Sequence, residues 1–405
     1  MLKAMHLNTR FCRGLPTALA LVGFSFHSGP VFGLGLRIPN QDAEATARGN
    51  AFVATADNPS ALYYNPAGIT QLEGHNAQIG AHLLSVNSHF KAATGGVEAD
   101  TESEILPVPQ FYYVYSPKDY PLAFGLGIYA PFGLGLEWPG NVVFRNLAQE
   151  GRLQYVTISP IAAWRVNSTL SIAAGPTVNF STAMLRNGIG LVSGDEFRFR
   201  GNGFAYGAKV GLLWQPHPQW SFGVSYVSPT TVKYRGNSTA KPFLPQKNGT
   251  SAELDFPQFI MGGISFRPTT NWNIEVGVDW TDWDTVDTVT FKGTALGDVP
   301  FALNWKSSYL AHLGVSRYLP NGYRISAGYF FSQNSTTDAD FNPILPDTDL
   351  HVASLGFGHK GEHWDWAISG QIIAGPARQI SNGNSADGSY QFFNQAVNFS
   401  MGYHF

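Results

Sequence analysis

The sequence predicts an all-β membrane protein, a closed antiparallel barrel of fourteen strands plugged by an N-terminal hatch, and three observations predict it. The first is composition. Only 13% of the 405 residues are charged, about half the share of a soluble domain, while 14% are aromatic and 44 are Gly. The aromatics exclude disorder. No uncharged apolar run reaches the ~18 residues of a spanning helix, which excludes a helical bundle. A net charge of −3 offers nucleic acid no basic surface. The second observation is period-two alternation in many short stretches, and the third is a strict alternation of tight turns with longer connectors.

The elements follow in order. Residues 1–33 read as a secretory signal peptide: Lys3, Arg10 and Arg13 precede the apolar residues 15–26, and Gly33 follows with Val31 two before it. About 12 apolar residues are too few to span a bilayer. Cys12, the only cysteine, leaves with this leader, so the mature chain has neither thiol nor disulfide chemistry. Residues 34–74 are rich in Ala and Asn and show no strand pattern. About forty residues make a poor independent core. A wide barrel leaves an aqueous channel unless something fills it. The segment is therefore expected in the lumen as a hatch rather than as a linker or a separate domain.

Residues 75–405 carry the barrel. Val397, Phe399, Met401, Tyr403 and Phe405 alternate with Asn398, Ser400, Gly402 and His404; Trp272, Ile274, Val276, Val278 and Trp280 alternate with polar or small residues. A soluble sandwich shows the same period, but strands of about ten residues with aromatics at their ends favour a barrel. Starts are expected near His75, Val108, Pro121, Gln154, Ser168, Gly203, Gln219, Ser251, Asn271, Phe301, Gly322, Asp349, His363 and Phe393. Six tight turns, at 116–119, 165–168, 215–218, 267–270, 319–322 and 360–362, alternate with seven longer loops such as 131–153 and 184–202. Fourteen strands with both chain ends on one side require that count, and an even number closes without leaving an edge.

Few residues invite chemistry. Asn65-Pro66-Ala67 can hold a defined turn, because Pro fixes φ and Asn can bond its own backbone. Gly125, Gly127 and Gly133 surround the third strand, where glycine marks a bulge or a close backbone approach. Lys306 shares parity with Ser308 and Gly314, which points it into the lumen, either toward a ligand carboxylate or into an ion pair with Glu275 or Asp279. The 11 His residues are scattered and no Ser sits in a Gly-x-Ser-x-Gly elbow. His359 and His363 flank a tight turn better read as solvated than as a zinc pair, and Gly188-Ile189-Gly190 lacks the third glycine of a dinucleotide site. No enzyme activity, cofactor or metal is expected.

Several motifs, in order along the whole mature chain, resemble the FadL-type outer-membrane transport family. They are Ala47-Arg48-Gly49-Asn50-Ala51-Phe52, Ala56-Asp57-Asn58-Pro59-Ser60-Ala61, Asn65-Pro66-Ala67, Pro131-Phe132-Gly133-Leu134 with Glu137, Asp279-Trp280-Thr281-Asp282-Trp283, Asn304-Trp305-Lys306 and Pro346-Asp347-Thr348-Asp349. The resemblance implies passive uptake of long-chain fatty acids or hydrocarbons across the bacterial outer membrane. A pocket would form at Leu34, Gly35 and Leu36, with Asn65, Pro66 and Ala67 gating. Release would be lateral, through a strand-three kink at Gly125, Gly127 and Gly133. It also implies carboxylate partners at Lys306, Arg186 and Arg145, although Arg186 follows the parity of Val178 and Phe180. Phe405 suits the barrel-assembly machinery. The remaining expected partners are outer-membrane lipid and lipopolysaccharide, around a monomer. The short 184–202 connector departs from the long helical insertions of fatty-acid transporters. A polar-solute porin is the alternative, and a barrel lipid hydrolase a more distant one.

Overall fold

The computed structural model describes residues 35–405; the expected signal peptide, residues 1–33, and Leu34 lie outside the described residues. The wall is fourteen antiparallel strands: β1 (Gly74–Val86), β2 (Glu104–Ser116), β3 (Leu122–Glu137), β4 (Glu150–Arg165), β5 (Leu170–Asn187), β6 (Glu196–His217), β7 (Trp220–Val227), β8 (Phe259–Phe266), β9 (Trp272–Thr281), β10 (Ser308–Tyr318), β11 (Tyr323–Ser332), β12 (Leu350–Lys360), β13 (Trp364–Ala374) and β14 (Gly388–His404). Each pairs with its sequence neighbours. The seam joins β1 to β14 from Asn76↔His404 to Ser85↔Gln395, so the sheet has no free edge.

Alternation sorts the side chains. Ile79, Val276, Val278, Ile368 and Ile372 face outward, each about half exposed. Asn179, Ser225, Asn273, Ser316 and Asn398 face inward and are buried. Apolar-out and polar-in is what a bilayer outside and a polar filling inside demand. Trp164, Trp214, Trp220, Trp272 and Trp364 stand beside the tight turns, at the level of the periplasmic interface.

The strands differ from expectation in length. β3 to β6 run 16 to 22 residues, so the loops expected at 131–153 and 184–202 shrink to residues 138–149 and 188–195. The ladder continues above the membrane, where water tolerates Gly, Pro and Arg that blur the periodic pattern. Two starts belong elsewhere. Ser251 lies in an extracellular hairpin of Thr230–Lys241 with Leu244–Phe256, and Phe301 in a second hairpin of Thr288–Thr294 with Gly297–Ala302. A hairpin with one face against the mouth of the barrel has the same period as a wall strand.

The hatch fills the lumen. Helix α1 (Ala43–Ala47) is capped by Asp42, whose carboxylate accepts from Glu44 N at 2.7 Å and Ala45 N at 3.0 Å. Helix α2 (Ala61–Tyr64) leads into a 3-10 turn, Pro66–Gln71. Buried ion pairs tie it to the far wall: Arg37–Asp279 at 2.7 Å, Arg48–Glu275 at 3.5 Å and Arg324–Glu44 at 2.9 Å. Gly328 on β11 makes room, since a Cβ there would stand 2.0 Å from the Arg48 and Gly49 backbone.

Candidate functional site

The third strand leaves the wall. β2 and β3 pair only from Phe111↔Ile128 to Tyr115↔Phe124, although β2 stays in register with β1 up to Glu104. Between Tyr129 and Phe132 the β3–β4 register slips by one residue, an added residue at Ala130–Pro131 that bends the strand inward. Above the bulge the faces exchange, so Phe132 and Leu134 point into the lumen. At the top, Glu102 N donates to Glu137 O at 2.9 Å and closes the gap. The result is a window in the wall between residues 103–110 of one strand and 129–136 of the other.

The hatch tip takes the place of the missing neighbour. Gly133 N donates to Leu36 O at 2.9 Å, Ile38 N donates to Pro131 O at 2.8 Å, and Arg37 bridges Phe132. Arg37 is fully buried. Its guanidinium reaches Asp279, donates to Thr281 Oγ1 at 3.2 Å and lies 4.2 Å from the Phe259 ring centroid. His312 Nε2 approaches the other Asp279 oxygen at 3.1 Å. Gly35, with φ +61°, packs on Trp283.

Above the tip lies an apolar cavity of about 100 Å³. Leu36 forms its floor with Leu153, Leu185, Phe199, Phe291 and Trp305 around it. Only one lining residue, Arg152, is charged, and it is held by Glu104 at 2.7 Å, Glu150 at 2.8 Å and Glu137 at 3.4 Å. A smaller, mixed pocket of about 20 Å³ sits beside the bulge, between Tyr63, Tyr129, Phe132, Thr157, Lys209 and Thr230. Its lysine is buried and donates to Leu62 O at 3.0 Å and to Tyr63 O.

Asn65, Pro66 and Ala67 are buried at the lower end of the hatch. Asn65 accepts from Ala67 N at 3.2 Å and donates to Val53 O and to Leu212 O of β6, both at 2.9 Å. Gly211 leaves the space for this turn, because a Cβ there would meet Asn65 Oδ1 at 2.5 Å. Gly125 and Gly127 lie below the bulge, in the paired part of β3, against Leu62 and Tyr129 of the packed interior. Gly133 lies above it. The inward bend itself falls at Ala130–Pro131, within a stretch read from sequence as the start of a loop.

The three cations expected to meet a ligand carboxylate are elsewhere. Lys306 is exposed in the segment before β10, and its expected partners Asp279 and Glu275 are taken by Arg37 and Arg48. Its parity with Ser308 fails because the chain is not yet a strand at that point. Arg186 faces outward with Val178 and Phe180 and pairs with Glu137 at 2.5 Å and Glu150 at 2.8 Å. Arg145 binds Asp195 at 2.9 Å in the loops, where the N–H groups of Val192, Leu191 and Gly190, together with Arg145, hold that carboxyl below its usual range. Pro107, Pro109 and Pro131 were the unread signal. Proline is confined to unpaired edges and bulges, and these three flank the window.

Comparison with known proteins agrees with this geometry. Residues 25–368 match the family model described as "Outer membrane protein transport protein (OMPP1/FadL/TodX)". A putative outer membrane protein of Neisseria meningitidis serogroup B is 22% identical, over 84% of this chain and 86% of its own. The long-chain fatty acid transport protein of Salmonella typhi is 20% identical over 75% and 78%. Among solved structures, a Pseudomonas aeruginosa FadL homologue superposes with TM-score 0.81 at 18% identity, covering 92% of this chain and all of that one. The P. putida toluene transporter TodX gives 0.70 at 16%, over 89% and 98%.

Proposed function

Because the chain belongs to the OMPP1/FadL/TodX family of outer membrane transport proteins, we propose that it admits small, uncharged hydrophobic molecules and releases them sideways through its wall. Its relatives include a long-chain fatty acid transport protein and a toluene transporter. The observation that carries the choice is the apolar cavity over Leu36, whose single charged neighbour is neutralised by three glutamates. A carboxylate there would find no cation to receive it, and burying it unpaired is costly. Apolar cavities of ~150 Å³ hold a benzene ring, so one of about 100 Å³ suits a compact hydrocarbon or a short length of alkyl chain.

The path follows from the same residues. A molecule entering among the extracellular hairpins settles on Leu36, which the bulged strand holds through Gly133. Movement of residues 36–38 would uncouple the tip from β3 and connect the cavity with the window beside Pro131. Residues 65–67 would set how far the hatch can shift, since Asn65 ties it to β6. Transport of this kind needs binding that is favourable enough to enter and weak enough to leave, and no bond chemistry.

The porin alternative requires an open lumen, whereas the hatch occupies this one with buried ion pairs to β9 and β11. Mass spectrometry of molecules co-purified in mild detergent tests the reading. Uncharged hydrocarbons or their neutral derivatives are expected. Repeated recovery of fatty acids alone would overturn the choice of cargo, and recovery of polar solutes alone would overturn hydrophobic uptake.

A further inference from the structure

Outside the barrel, above the lipid-facing band, a groove of about 400 Å³ crosses β2, β4, β5, β6 and the Thr230–Lys241 hairpin strand. Its rows follow from the register. Arg152 opposes Met184, Met184 opposes Arg200, and Arg200 opposes Asn237; one row lower, Gln154, Thr182, Asn202 and Arg235 align in the same way. Arg200 and Arg235 are thus diagonal neighbours on adjacent strands, about 7–8 Å apart at their bases, a spacing that lets both guanidinium groups reach one anion. Both are exposed.

The charges around them are accounted for. Arg152 and Arg186 share Glu104, Glu137 and Glu150; Arg198 pairs with Glu196 at 3.4 Å and Lys233 with Glu253 at 3.8 Å. Among the described residues, Arg200 and Arg235 form no ion pair. Their neutral polar neighbours in the groove are Gln154, Thr182, Asn202 and Asn237; the one carboxylate in its lining, Glu104, is held by Arg152 at 2.7 Å.

Height identifies what reaches them. Phe180 and Phe204, with ring centroids 5.0 Å apart, lie on the outer face directly below the groove. On β6, Trp214 marks the periplasmic interface and Phe204 stands ten residues further up. At ~3.3 Å per residue and a tilt of about 40°, those ten residues rise about 25 Å, the height of the apolar band of such barrels. Phe204 therefore sits at the outer interface, with Arg235 one outward row above it and Arg200 two, at the level of lipid headgroups.

We propose that Arg200 and Arg235 form a binding site on the barrel's outer face for a phosphate of the outer leaflet's glycolipid, the phosphorylated diglucosamine headgroup of lipopolysaccharide. A planar guanidinium pairs bidentately with phosphate oxygens, and two of them beside amide donors match a phosphate on a sugar better than they match a zwitterionic headgroup. The acyl chains below would lie on Phe180, Phe204 and Tyr206. The inference shares with the uptake reading only the placement of the barrel in the outer membrane, and its outcome does not depend on the cargo.

The test is native mass spectrometry of the detergent-solubilised full-length mature protein titrated with hexa-acylated, bis-phosphorylated lipid A. The double variant R200Q/R235Q is expected to bind it at least about tenfold more weakly than the parent. R317Q, at an outward arginine over Trp272 near the periplasmic side, is expected to leave binding unchanged. Folding is checked by heat-modifiable gel mobility, and R200K/R235K, which keeps the charge, is expected to retain part of the affinity. Equal affinity in the glutamine variant would overturn the site. Equal binding of dephosphorylated lipid A or of phosphatidylglycerol would overturn the assignment to this headgroup, and displacement by equimolar inorganic phosphate would reassign the arginines to a free anion.

Discussion

Glu275 shows how one side chain holds a plug. Its two oxygens accept from Ala54 N and Thr55 N, both at 2.9 Å, and from Thr55 Oγ1 at 2.5 Å, while Arg48 stands at 3.5 Å. Replacing it with Gln leaves Arg48 buried without a counter-charge, a loss of about 3–5 kcal/mol. Glu275→Gln should lower the temperature of the heat-modifiable gel shift and expose the hatch to protease; an unchanged transition would refute the role. Lys306 supplies the contrasting case. It is exposed and lies outside the strand, so Lys306→Ala should leave hydrocarbon uptake within about twofold, as surface changes usually do. A tenfold fall would restore a ligand role for it. The sequence already placed Asp279 and Glu275 on the inward face, since strand parity settles direction. It could not name their partners, because Arg37 and Arg48 lie in a segment without period, whose course depends on contacts more than two hundred residues away.

At the scale of the element, β3 carries the site through a single added residue. Ala130–Pro131 shifts the register with β4, exchanges the faces above it and ends the pairing of β3 with the upper half of β2, which stays paired with β1. Deleting Pro131 should restore two-for-two pairing, let β3 run on beside β2 and close the window. Uptake into vesicles is expected to fall at least about tenfold while the barrel still folds, because the ladder gains hydrogen bonds rather than losing them. Uptake at the parental rate would separate the bulge from transport. Glycine gave the sequence reading its guess at the bend, yet Gly125 and Gly127 serve contact with Leu62 and Tyr129. Proline was the better marker, since it cannot donate to a ladder at all, whereas glycine only weakens one. The six tight turns were legible because each is a short run of turn residues between alternating strands. The two extracellular hairpins were not, for they carry a wall strand's own period.

For the whole molecule the expectation concerns conductance. Residues 35–73 occupy the lumen, and Leu36, Ile38, Phe52, Leu62 and Tyr63 are all essentially buried there. Removing residues 34–74 should raise single-channel conductance sharply in planar bilayers, and an unaltered conductance would mean that something else obstructs the barrel. Strand number, closure and outer-membrane placement were readable from composition and turn spacing, both of which are properties of the chain taken as a whole. One consequence of the hatch's anchorage remains. Its residues come first in the chain, yet their partners Glu275, Asp279 and Arg324 lie on strands synthesised two hundred or more residues later. The β1–β14 seam encloses these contacts. The anchorage of the hatch is thus completed only when strands from the trailing half of the chain are in place.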